Sequence, residues 1–161
     1  MKAAVFKEVG KPLVVETVAD PTPEADQLVV KVSYCGICGT DLHSTREGAA
    51  TVPCNAILGH EFVGEVAEIG KSLRNKWQHD DRVCSLPFLA CGACKACVNG
   101  WPFECAQLKC IGIDQPGGFA EYVATGALET IKLPDELAIE SAALIEPLAV
   151  GLHAVRVAGM R

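Results

Sequence analysis

Basic residues are scarce in this 161-residue chain: fourteen Lys and Arg stand against twenty Asp and Glu, a formal net charge of −6. No basic stripe offsets that charge, which excludes ordinary nucleic-acid binding. No apolar run approaches the length of a membrane span, so no membrane partner is expected. The opening MKAAVFKEVGKP has only four apolar residues before Lys7, too few for the core of a signal peptide. A cytoplasmic location follows as the expectation, and thiols stay reduced there. A dinucleotide fingerprint is also missing: QPGGFAEY has glycines, but not the G-x-G-x-x-G spacing or a strand-to-helix setting. Internal repeats and low-complexity tracts are absent. Half the residues are hydrophobic and 21% are charged, enough for a core in one domain, or in one domain and the beginning of another.

What the chain has in abundance is cysteine. Nine is an odd number, awkward for a disulfide framework. Four of them, Cys91, Cys94, Cys97 and Cys105, fall inside residues 89–107, spaced C-x2-C-x2-C-x7-C. Zinc and iron–sulfur clusters both favour soft sulfur ligands. The first three cysteines match a bacterial ferredoxin run, but the fourth should follow after three residues and precede proline. Here seven residues intervene, and Ala106 follows Cys105. Zinc is the better fit. Four protein ligands leave the metal no open position, so this site can brace a loop but cannot bind substrate.

The rest of the first 134 residues reads as short strands. KAAVF and LVVETV flank KEVGKP as a hairpin, and QLVVKVSY alternates with Leu28, Val30, Val32 and Tyr34 on one face. Thr40 and Asp41 are good N-cap residues for a short turn carrying Leu42 and His43. EFVGEVAEIG, DRVCSL, FAEYVAT and LETIKLP are further strand candidates. Near Pro134 the pattern becomes helical: Asp135 is a capping candidate, and Pro147 interrupts the run and starts a second helix. Residues 1–134 are thus expected to form one β-rich domain, and 135–161 a helical connection.

Candidate chemistry outside the cysteine loop is scattered. YCGICGTDLH offers Cys35, Cys38, Thr40, Asp41 and His43; GHEFVGEVAEIG offers His60 and Glu61; IEPLAVGLHAV offers Glu146. Singly, each has an ordinary reading: a CxxC without its βαβ unit, an exposed pair at a strand edge, a surface glutamate before a proline. Together, a thiolate, an imidazole and carboxylates make a plausible catalytic zinc set with a position left open for water or substrate. Spacing alone does not show that they converge.

CGICGTDLH, GHEFVGEVAEIG, the four-cysteine loop, GGFAEYV and EPLAVGLHA follow one another as in zinc-dependent medium-chain dehydrogenases, and the chain resembles that family from Met1 to Arg161. The resemblance implies a GroES-like fold, a partly open β-barrel followed by two helices leading toward a Rossmann domain. Neither that domain nor the family's returning C-terminal piece lies within these residues, so the N-terminal portion of a larger enzyme is expected. It implies Cys38 and His60 as ligands of a catalytic zinc, and Glu61 as the third. EPLAVG resembles the sorbitol and other polyol dehydrogenase branch, where Glu146 stands in place of a cysteine and approaches the metal directly or through water. Cys91, Cys94, Cys97 and Cys105 match the family's structural zinc lobe. The implied reaction is reversible oxidation of an alcohol or polyol, with zinc as Lewis acid and NAD(P) as hydride acceptor. Thr40 would accept the alcohol proton, His43 would form the outer end of a relay, and Asp41 would orient its neighbours. A homo-oligomeric parent enzyme is expected. The contrasting readings are a non-enzymatic zinc-binding β-barrel module and an iron–sulfur carrier; retention of Cys38, His60, Glu61 and Glu146 weighs against the module.

Overall fold

A five-stranded antiparallel sheet carries the structure, and its curvature decides where the functional side chains meet. The computed structural model describes all residues except 49–51, 74 and 161. In chain order the strands are β1 (Lys2–Val5), β2 (Val14–Thr17), β3 (Gln27–Gly36), β4 (Glu61–Ile69), β5 (Arg82–Ser85), β6 (Phe88–Leu89), β7 (Lys109–Cys110), β8 (Tyr122–Gly126) and β9 (Thr130–Lys132). Among the described residues four α-helices accompany them: α1 (Gly39–Leu42), α2 (Lys95–Val98), α3 (Ile139–Ala142) and α4 (Ile145–Val157).

The main sheet runs β8-β3-β4-β5-β9. Its two edge strands are consecutive in the chain and joined only by residues 127–129, so the sheet must curl to bring its edges together. Buried hydroxyls line that seam: Ser85 Oγ lies 2.6 Å from Thr125 Oγ1, and Thr130 Oγ1 donates to Ser85 Oγ at 3.2 Å. Curling also needs irregular pairing, and β3 against β4 slips register between Val29 and Val30 and again between Val32 and Tyr34. The result is the expected partly open barrel. Leu28, Val30, Phe62, Val66, Val83, Ile111 and Val123 fill its centre, all nearly inaccessible. Burying each such side chain contributes about 1.5–3 kcal/mol.

The β1–β2 hairpin forms as expected, pairing Val5 with Val14. Bridges from Ala3 to Ala120 and from Val5 to Ile57 attach it to the barrel. Leu28, Val30 and Val32 hold the alternation, but Tyr34 does not: Ser33 is an extra residue in the ladder, which turns Tyr34 outward, where its hydroxyl donates to Glu140 at 3.0 Å.

Two helix boundaries differ from the sequence expectation. The N-cap of α1 is Cys38, not Thr40 or Asp41; Asp41 sits at the third helical position, and its carboxylate accepts the Cys38 N–H at 2.9 Å. Asp135 likewise does not cap α3, whose N-cap is Ala138. The break between α3 and α4 falls at residues 143–144, and Pro147 lies inside the first turn of α4. That turn has N–H groups without intrahelical partners, so a proline there forfeits nothing. Residues 137–145 pack on the barrel, with Leu137, Ile139, Ala142, Ala143 and Ile145 gathered around Val63, Cys84 and Leu133. The Arg82 guanidinium fastens the same segment by donating to the carbonyls of Asp135 and Leu137. Beyond it, Leu148, Leu152 and Val155 of α4 are exposed.

Candidate metal centres

The four-cysteine loop is held at its base by the short β6–β7 ladder, which pairs Leu89 with Lys109 just outside it. Inside, one sulfur from each of Cys91, Cys94, Cys97 and Cys105 lies within 4.8 Å of all the others. Cys91 and Cys97 Sγ are 3.9 Å apart, and Cys94 and Cys97 Sγ 3.5 Å. A tetrahedral zinc with bonds of about 2.3 Å requires sulfurs about 3.8 Å apart, so the donors fit that ion. Backbone amides point at the sulfurs as they would at thiolates: Cys94 N–H donates to Cys91 Sγ at 3.3 Å, and Gln107 N–H to Cys105 Sγ at 3.3 Å. Hydrogen bonding from the Cys97 amide, and then from its thiol, lowers Cys94 to about 6, while burial and the hydrogen bonds that engage its own S–H with Cys94 and Cys105 raise Cys97 to about 12. Four thiols this close cannot all ionise unless a cation neutralises them. None of the nine cysteines is in a disulfide.

The second cluster is assembled from two distant segments. Antiparallel pairing sets Gly36 at the end of β3 opposite Glu61 at the start of β4. Cys38, two residues past β3, and His60, one residue before β4, are carried to the same end of the barrel. One donor atom each from Cys38, His60 and Glu61 fits within 4.8 Å. Glu61 is only 8% exposed. Gly36 makes room for it, since a Cβ there would collide with the Glu61 carboxylate. A sulfur, a nitrogen and an oxygen donor, three protein ligands in all, match the donor count of an open zinc site.

Asp41 ties the segments together. It is 4% exposed, and besides the Cys38 amide it accepts the Gly59 N–H at 3.3 Å. Its Oδ1 is 3.7 Å from His60 Nδ1. Gly59 adopts φ +90°, and a Cβ there would stand 2.5 Å from the Phe119 ring, so only glycine delivers that amide and turns the chain into His60.

The remaining expected residues surround this centre. Thr40 is exposed at its mouth, with its hydroxyl 3.6 Å from Cys38 Sγ. Glu146 is half-buried at the start of α4; burial first, and then the nearby Glu61 charge, raise its pKa, while His60 acts in the opposite direction. His43 lies outside the cluster, exposed, with Nδ1 2.9 Å from Glu47 Oε2. Cys35 points into the interior, where burial, with Asp41 nearby, pushes its thiol up to about 12. The sequence reading missed the structural parts of Cys84, Gly59 and the Ser85–Thr125–Thr130 hydroxyls. The glycine of GHE was the one available signal.

A curled antiparallel barrel that carries a four-sulfur cluster and a separate mixed-donor cluster able to hold a metal ion defines a GroES-like domain. Residues 24–135 match the alcohol dehydrogenase GroES-like domain, and the chain belongs to that family. It is 35% identical over 156 residues to an L-threonine 3-dehydrogenase of Xanthomonas oryzae pv. oryzae, covering 95% of this chain and 46% of that protein. In fold it is similar to galactitol-1-phosphate dehydrogenase from Escherichia coli, with TM-score 0.89, 34% identity, and 99% of this chain and 46% of that one covered. 2R,3R-butanediol dehydrogenase from Bacillus subtilis gives TM-score 0.83 at 35% identity, covering 96% of this chain and 46% of that one. The chain thus spans about half the length of the relatives it matches.

Proposed function

We propose that this chain is the catalytic-domain portion of a zinc-dependent oxidoreductase that oxidises a polyol or secondary alcohol to the carbonyl, with hydride transfer to NAD(P). The observation that carries this reading is the convergence of Cys38, His60 and Glu61 from two segments onto one point, separate from the closed four-cysteine site. A scaffold that used metal only for folding would need the closed site alone. Zinc bound by Cys38, His60 and Glu61 would supply Lewis acidity toward a substrate oxygen, and NAD(P) held elsewhere in the enzyme would accept the hydride.

The chain's own residues then have distinct tasks. Glu61 is the third ligand, because its oxygen lies within the donor cluster, and Glu146 stands behind it as a nearby carboxylate. Thr40 relays the alcohol proton, its hydroxyl oxygen accepting it as its own hydroxyl proton moves on toward His43, a role that its exposed position beside Cys38 supports. His43, farther out and paired with Glu47, passes that proton to solvent. Asp41 orients His60 and fixes the Cys38 loop. Cys91, Cys94, Cys97 and Cys105 hold a structural zinc. We place the enzyme in the cytoplasm as a homo-oligomer; nine unbridged cysteines support a reducing compartment. No helix among the described residues is long and apolar enough to cross a membrane.

The test uses the whole enzyme that contains this chain. Purified with zinc, it should form NADH or NADPH from at least one member of a panel of polyols and secondary alcohols, and His60→Ala should abolish that formation while the fold persists. Undiminished turnover in His60→Ala would overturn the reading.

A further inference from the structure

Glu129 is a buried carboxylate that neither metal centre uses. It lies in the three-residue link between β8 and β9, 8% exposed, at the seam where the barrel's edges meet. Its backbone is fixed first: the carbonyl accepts the Leu86 N–H at 2.9 Å, and Ser85 Oγ donates to it at 3.5 Å. The side chain then turns toward the cysteine loop. Oε1 accepts the Ala90 N–H at 3.1 Å, across 39 residues of sequence. The other carboxylate oxygen lies against Gly126, where a Cβ would collide with it. Glycine there leaves the space that the carboxylate fills.

Ala90 immediately precedes Cys91, whose own N–H donates to Cys105 Sγ at 3.4 Å. Two successive amides at the root of the loop are therefore committed, the first to a fixed point on the barrel and the second to the last sulfur of the cluster. Fixing the Ala90 amide sets the direction in which Cys91 enters the loop. The β6–β7 ladder cannot do this alone, since it ends at Leu89.

We propose that Glu129 is a positioning residue for the four-cysteine metal site: its carboxylate anchors the Ala90 amide, and so holds Cys91 ready to ligate. This goes beyond the proposed alcohol oxidation and rests only on metal occupancy of Cys91, Cys94, Cys97 and Cys105. Residues that orient metal ligands from outside the coordination shell typically change metal affinity 10- to 100-fold when removed.

The experiment measures zinc release from the chain to a chromophoric chelator, resolved into its two sites, with circular dichroism followed in parallel. Glu129→Ala should release zinc from the four-cysteine site at least tenfold faster, with the Cys38 site unchanged. Glu129→Gln keeps an acceptor oxygen at the same reach and should stay within about threefold of the parent. Glu129→Asp keeps the charge but withdraws it by one methylene, and it should behave like Glu129→Ala; it decides the matter if the alanine variant does not fold. Unaltered release in Glu129→Asp, or equal acceleration at both sites, would overturn the proposal. A parent chain with no metal on the four cysteines would overturn it together with the structural-zinc reading. A parent with that metal and an indifferent Glu129 would overturn it alone.

Discussion

Replacing Asp41 with asparagine keeps the shape of the side chain while removing its charge and one of its two acceptors. In the structure the carboxylate is 4% exposed and accepts two backbone amides, Cys38 at 2.9 Å and Gly59 at 3.3 Å. Hydrogen bonds to a charged group contribute about 1.5–3 kcal/mol each, the longer one toward the low end. A carboxamide in this position can accept only one of these amides, and its NH2 group faces the other, donor against donor. Asp41→Asn should therefore cost about 2–4 kcal/mol of stability. It should also weaken zinc 10- to 100-fold at the Cys38 site, because the same carboxylate faces His60 at 3.7 Å. The four-cysteine site shares no contact with Asp41 and should be unaffected. Denaturant unfolding gives the first quantity, and competition against a chelator of known affinity gives the second. Parental zinc affinity at the Cys38 site in Asp41→Asn would refute this reasoning, as would an equal loss at both sites.

Gly59→Ala should lose about 2–4 kcal/mol, since φ +90° is strained for alanine and the new Cβ meets the Phe119 ring; unfolding curves check it, and a change under about 1 kcal/mol would contradict it. Stability should also fall above pH 9. Unfolded thiols ionise near 9, whereas burial holds Cys35 to about 12 and Cys84 to about 11, so the folded state binds more protons in that window. Each thiol accounts for at most about 1.4 kcal/mol per pH unit; Cys35→Ala should flatten the slope measured by urea unfolding from about pH 8 to 10.5, and an unchanged slope would count against it.

The two candidate metal centres differ in how far sequence alone reveals them. The four-cysteine site was legible because all its ligands fall within fifteen consecutive residues, so spacing carries geometry. Cys38 and His60 are brought together by the register that sets Gly36 against Glu61 and by Asp41 between the two segments, and no local pattern encodes that pairing. The family resemblance named those residues; the strand register explains why they meet. Helix boundaries went astray where capping rules met tertiary context. Asp41 looks like a cap but lies one turn in, drawn there by the Cys38 and Gly59 amides. Tyr34 broke its alternation because Ser33 bulges, and one extra residue reverses every face that follows. Glu129 carried no sequence signal, because a glutamate in a short link between strands is ordinarily a solvated surface residue.

Zinc stoichiometry followed against circular dichroism during chelator titration addresses the two-centre reading most directly. The parent chain should hold two zinc ions and surrender one first while remaining folded, because the open site gathers its ligands from separated segments and lacks a fourth protein donor. Cys38→Ala should begin with one zinc and a folded barrel, and Cys97→Ser should lose the other and loosen its loop. A Cys38→Ala chain that still holds two zinc ions, or a parent that loses all metal and structure in one step, would contradict it.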